Sequence, residues 1–256
     1  MSVLDSIIAG VREDLAKRRL PLSELREKLE SAPPVIDAHP GLRGDLISVI
    51  AEVKRSSPSK GALAAIVDPA QLAEQYQKAG ASVISVLTEE RRFGGSLADL
   101  KSVRSAVDIP ILRKDFMVDE YQFYEARAYG ADVVLLIVAA LSARQLNDYF
   151  EMATELGMAS LIEVHTHDEL ERAMEISPRI IGINSRNLKT LEVDQKAFAE
   201  LLPEIPVEII KVAESGISAR GEVELARSFG ADAILVGEAL VRAGDPISAL
   251  RTLRGL

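Results

Sequence analysis

Residues 129–137 read Y-G-A-D-V-V-L-L-I: a glycine, a small residue, an acid, then five aliphatic residues in a row. The same punctuation returns at 79–87 (A-G-A-S-V-I-S-V-L) and 229–236 (F-G-A-D-A-I-L-V), with G-M-A at 157–159 a weaker copy. Glycine enters the left-handed conformation that closes many helices without a Cβ penalty. Each copy therefore predicts a helix that stops and a strand that starts at once. Working outward, aliphatic runs recur at 46–53, 82–87, 109–113, 133–137, 160–164, 180–184, 209–214 and 233–236, with helical patterns between them. Asp68-Pro69 predicts the cap and first residue of one helix, and Thr166 with Glu169 predicts a capping box on another. Eight strands alternating with helices predict an α/β protein with a parallel sheet, and eight repeats favour closure into a (β/α)8 TIM barrel. No G-x-G-x-x-G follows the first strand to support an open, dinucleotide-binding sheet.

Residues 1–45 lie outside this rhythm and are expected to form an N-terminal helical extension packed on a barrel of residues 46–256. Leu4, Ile7, Ile8, Val11 and Leu15 follow helical spacing, as do Leu22, Leu25 and Leu29 after Pro21. Pro33-Pro34 ends helical structure, and Pro40-Gly41 predicts a further turn.

Composition narrows the function. With 256 residues, 48% of them hydrophobic, the chain can bury a large core. A formal net charge of −9 argues against binding a nucleic-acid backbone, although local Lys and Arg can still dominate a cleft. The absence of cysteine removes disulfides, thiolate nucleophiles, iron–sulfur clusters and Cys-based zinc sites. No apolar run reaches the roughly 20 residues of a membrane helix. Asp5 and residues 12–14 (R-E-D) interrupt the N-terminal apolar residues, unlike a signal peptide. A soluble cytoplasmic protein is expected.

In a barrel of this kind chemistry gathers at the carboxyl ends of the strands. The first strand ends I-A-E-V-K (50–54), which puts Glu52 and Lys54 on one face by period-2 alternation. A charged pair at a buried strand tip is costly unless it is paired or used. The third strand offers Lys114 in step with Leu112 and Phe116; the fifth, Glu163; the sixth, Asn184 and Arg186; the seventh, Glu214, Ser215 and Gly216; the eighth, Gly237 and Glu238. Each alone has an ordinary reading as a salt-bridge partner or turn residue. Their placement at one end of the barrel favours a common site. Ser215-Gly216 and Gly237-Glu238 follow strands seven and eight, where barrels often hold phosphate on backbone N–H groups. Glu163, His165 and His167 could be taken as three metal ligands, but a cap at Thr166 would end the strand before His167. No metal is expected, and both histidines are expected in a solvated loop.

Together these segments resemble the indole-3-glycerol-phosphate synthase family of ribulose-phosphate-binding barrels. The resemblance rests on I-A-E-V-K-R-S-S-P-S-K-G (50–61), F-G-G-S (93–96), I-L-R-K-D-F (111–116), L-I-E-V-H (161–165), I-G-I-N-S-R-N-L (181–188), V-A-E-S-G-I (212–217) and L-V-G-E-A-L (235–240). It implies closure of the indole pyrrole ring of 1-(2-carboxyphenylamino)-1-deoxyribulose 5-phosphate, with loss of carbon dioxide and water and no cofactor. It implies Glu52, Lys54, Lys114, Glu163 and Asn184 as catalytic residues, with Lys114 the general acid and Glu163 the general base of dehydration. Lys54 and partial burial are expected to lower the Lys114 pKa. Ser57, Ser215, Gly216, Gly237 and Glu238 would hold the phosphate. Arg186 and Glu214 would orient the substrate, and Phe93 and Phe116 would wall its ring. A monomer is expected. The rivals are another phosphosugar barrel enzyme (an isomerase or Schiff-base aldolase) and a non-catalytic phosphosugar-binding subunit.

Overall fold

A computed structural model describes residues 2–188 and 190–256. Its centre is a closed barrel of eight strands: β1 (Ser48–Val53), β2 (Val83–Leu87), β3 (Ile111–Lys114), β4 (Val133–Ile137), β5 (Ala159–Val164), β6 (Ile180–Asn184), β7 (Ile210–Glu214) and β8 (Ala233–Val236). Every neighbouring pair is parallel, and the ring closes where Ala51 of β1 meets Ile84 on one side and Val236 on the other. Each strand falls within two residues of its aliphatic run. Nearly every strand residue is buried, because side chains fill the interior and helices cover the outside.

The helices are α1 (Val3–Arg18), α2 (Leu22–Glu30), α3 (His39–Leu42), α4 (Pro69–Lys78), α5 (Leu97–Arg104), α6 (Tyr121–Ala128), α7 (Ala143–Glu155), α8 (His167–Met174), α9 (Lys196–Leu201), α10 (Arg220–Ser228), α11 (Glu238–Val241) and α12 (Pro246–Arg254). The G-A-D signature has a double use. Gly130 and Gly230 take φ of 89° and 101°, as the helix stops require. The acid that follows then ties the new strand to the one before: Asp132 accepts the N–H of Ile111 at 2.8 Å, and Asp232 that of Lys211 at 2.9 Å.

Two local expectations are corrected. Pro40-Gly41 lies inside the one-turn helix α3 rather than forming a separate turn, since Pro fits the first turn of a helix, where its missing N–H costs nothing. Thr166 caps α8 by accepting the Glu169 N–H, but the Glu169 carboxylate accepts the backbone N–H of His165 instead of Thr166. The box is thus shifted by one residue, which draws His165 against the helix start.

Ahead of β1, α1 begins with a complete capping box between Ser2 and Asp5. Its Leu4, Ile7 and Val11 join the main barrel core, while Leu15 packs with Leu25 of α2 and Tyr121 of α6. Arg91, from the loop after β2, reaches Glu13 at 2.9 Å and Asp14 at 2.6 Å. At the other end Arg18 pairs with buried Glu125 at 3.0 Å. Glu125 also holds Arg113, a guanidinium with no solvent exposure that bonds in addition to Asp115 and Thr88. No helix among the described residues is long and apolar enough to cross a membrane.

Candidate active site

A cavity of about 530 Å³ opens at the carboxyl ends of the strands, and all fourteen residues expected at the site line it. Their convergence follows from the barrel: strand tips that are remote in sequence meet at one mouth. Lys114, at the end of β3, donates to Glu163 Oε2 at 3.1 Å and lies 3.6 Å from Glu214 Oε2. Lys54, just past β1, sits 2.5 Å from Glu52 Oε2. Asn184 accepts the Arg186 N–H at 3.0 Å and bonds to Glu163 through its side chain. Phe93 and Phe116 stand with ring centroids 6.1 Å apart and tilted by 40°, forming an aromatic wall.

Two glycines are the mould for two of these carboxylates. A Cβ on Gly182 would lie 2.1 Å from Glu214 Oε1, and one on Gly237 would lie 2.4 Å from Glu52 Oε2. Both acids lean across into space that any other residue on the adjacent strand would occupy.

The electrostatics correct one expectation. Burial alone would depress the Lys114 ammonium, but the carboxylates of Glu163, Glu214 and Glu52 outweigh it and hold the pKa above the ordinary lysine value. The expected lowering counted Lys54 but not three surrounding acids. Burial, Glu163 and Glu52 push the Glu214 carboxyl up to about 8, despite the opposing pull of Lys114, so it keeps its proton at neutral pH. Burial works against the Glu163 carboxylate, yet Lys114, His165 and Asn184 pull it below its usual range. Opposed shifts on neighbouring acids are a feature of proton-transfer sites.

The side expected to hold the phosphate has its own geometry. Ser215 and Gly216, after β7, both take left-handed backbone conformations (φ of 67° and 70°), which is unusual for serine. Ser57 ends the first strand of a short hairpin ladder in which Ser56–Ser57 pairs with Gly61–Ala62, and its hydroxyl is buried without a partner among the described residues. Gly237 precedes α11, and the Glu238 carboxylate is held by Arg242 at 3.0 Å.

Several residues were missed. Leu4 and Ile7 bring α1 to the cavity wall, and Lys60, Arg242 and Leu135 line it too. The apolar stripe of α1 was legible, but not the surface it covers. His165 is the sharper correction: its side chain is only 10% exposed and lies against Glu169 and Glu163, not in a solvated loop. His167, half exposed, pairs with Glu204 at 2.9 Å. The described residues contain no group of three His, Cys, Asp or Glu placed to hold a metal.

A sequence profile described as indole-3-glycerol phosphate synthase matches residues 4–253. The chain belongs to the indole-3-glycerol phosphate synthase family. It is 59% identical over 255 residues to indole-3-glycerol phosphate synthase 1 of Streptomyces coelicolor, spanning 99% of this chain and 95% of that one. The Streptomyces griseus synthase is 58% identical with the same coverage. Among solved structures, thiamine phosphate pyrophosphorylase from Pyrococcus furiosus superposes with a TM-score of 0.62 at 18% identity, covering 84% of this chain and 96% of that one. The 3-hexulose-6-phosphate synthase from Salmonella typhimurium gives 0.63 at 14%, covering 82% and 97%. These distant likenesses share the synthase's barrel and speak to the fold alone.

Proposed function

We propose that this synthase acts as a carboxy-lyase on 1-(2-carboxyphenylamino)-1-deoxyribulose 5-phosphate, closing its pyrrole ring to indole-3-glycerol phosphate. The observation that carries the reading is the Lys114 ammonium held between Glu163 and Glu214 at the base of a cavity with one aromatic wall. The cavity suits a substrate with two anionic groups, a carboxylate and a phosphate, although the chain is acidic. Five cationic and five acidic side chains line it, and with Glu214 protonated the balance is one positive charge. Ser57 and the backbone N–H groups at Ser215, Gly216, Gly237 and Glu238 hold the phosphate, while Phe93 and Phe116 flank the anthranilate ring.

The ring carbon that bears the carboxylate attacks the ribulose C2 carbonyl, and Lys114 donates a proton to that oxygen. An alkoxide is more basic than any amine, so even a tightly held ammonium gives up its proton at this point. Lys54 attracts the aromatic carboxylate until carbon dioxide leaves and the ring regains aromaticity. Glu163 then removes a proton from the carbon next to C2, and Lys54 donates a separate proton to the C2 hydroxyl, which departs as water. Glu52 holds Lys54 and accepts a substrate hydroxyl. Asn184, Arg186 and Glu214 orient the sugar.

Turnover is read by the rise of indole fluorescence on adding the substrate. Lys114→Ala should lower kcat by about 10²–10⁴-fold while a product analogue still binds. Near-normal turnover in that variant excludes Lys114 as the acid. A flat trace from the unaltered enzyme favours a binding-only protein, and a borohydride-trapped adduct favours Schiff-base chemistry.

A further inference from the structure

Glu163 has two carboxylate oxygens, and Lys114 accounts for only one. Oε2 accepts from Lys114, whereas Oε1 lies 3.5 Å from His165 Nε2. That imidazole is nine-tenths buried, and its Nε2 has no hydrogen-bond partner among the described residues. Behind it, Nδ1 meets Glu169 Oε2 at 3.0 Å, and the same oxygen accepts the His165 backbone N–H at 2.7 Å. One carboxylate anchors the ring and a second lies ahead of it.

We propose that His165 is a positioning residue that stands as an imidazolium between Glu169 and Glu163 and keeps Glu163 ionised and aimed for proton abstraction. The proposal deepens, and rests on, the reading of Glu163 as the base. Its physical need is specific. A fully buried carboxylate stays charged only where hydrogen bonds and cations compensate it; Asn184 gives Glu163 one hydrogen bond, and cations must do the rest. Lys114 serves until it donates its proton to the substrate, and the protonated Glu214 cannot take its place. His165 is the cation that remains beside Glu163. The charged groups acting on the ring are Glu169 from α8, Glu163 from β5 and Lys114 from β3. Burial and Lys114 oppose the protonated ring, but the two carboxylates prevail and raise its pKa above the ordinary histidine value.

The test uses the full-length enzyme and separates the two readings. Glu163→Gln should abolish turnover; near-normal activity in it overturns the base assignment and this proposal together. His165→Gln should lower kcat about tenfold with KM nearly unchanged. It should also move the acidic limb of the kcat–pH profile upward by about one unit or more, because Glu163 loses an adjacent cation. Glu169→Gln, altered outside the cavity, should give a smaller shift of the same sign. An unmoved acidic limb in His165→Gln, with Glu163→Gln inactive, overturns the proposal alone. A second readout needs no turnover. Coupling is reciprocal, so Glu163→Gln should lower the His165 pKa, followed by NMR of a chain with only three histidines. An unchanged His165 titration in that variant also overturns it.

Discussion

Glu214 is an acid that burial and the neighbouring Glu163 and Glu52 keep protonated at neutral pH. Its pKa, raised to about 8, has a consequence for stability as well as for chemistry. Between pH 4.5 and 8 the folded chain keeps a proton on Glu214 that the unfolded chain releases. The stabilising contribution is full at the acidic end and is lost as pH rises through the folded-state value. Glu214→Gln has no such proton to lose. Relative to the unaltered protein, its Tm should rise by several degrees between pH 5 and pH 8.5 while kcat falls. A constant offset across that range would show that Glu214 titrates normally. At this scale the sequence showed which residues meet but not how they share protons. Period-2 alternation put Lys114 and Glu163 into one mouth; the sign of the Lys114 shift depended on three acids from other strands. His165 shows the same limit, since burial of a loop residue is decided by a carboxylate four positions ahead.

Among the elements, the strands were legible because aliphatic runs and helix-stopping glycines are local signals. The role of α1 was not. A stripe of Leu4, Ile7 and Val11 says that a helix covers something, and only the folded chain shows that it covers the cavity edge. The extension is best regarded as a wall of the site as well as a cover for the barrel. Ile7→Ala should therefore have two separable effects. Removing this buried side chain should cost about 2–4 kcal/mol in denaturant melts. It should also raise KM for the substrate several-fold, while the inhibition constant of inorganic phosphate changes less, because the lost surface is apolar. An unchanged KM would make α1 a structural cover only.

Across the whole molecule, a line of charges runs beneath the site. Arg18 on α1 meets Glu125 on α6, Glu125 meets Arg113 on β3, and Arg113 meets Asp115, which lines the cavity. Sequence reading passed over Arg113 because it alternates with Lys114 and faces outward, where only tertiary packing supplies its acids. Exposed pairs such as Arg91 with Glu13 contribute little, whereas removing one partner from a buried pair leaves uncompensated charge. Glu125→Ala should destabilise the fold by about 3–5 kcal/mol, and Glu13→Ala by less than about 1 kcal/mol, measured by urea unfolding. Equal effects would mean that the buried line carries no special weight.

The missing side chains at Gly182 and Gly237 bear on how this barrel can change. Each glycine is one half of a two-part fitting whose other half, Glu214 or Glu52, sits on the neighbouring strand. An alanine at 182 would meet the far end of a flexible side chain, so the chain can still fold, but the displaced carboxyl would leave Lys114. A mutant library that varies acids and glycines one at a time will therefore sample mostly folded, inactive proteins. Routes to a new substrate run through paired exchanges, the acid shortened as the glycine gains its methyl group.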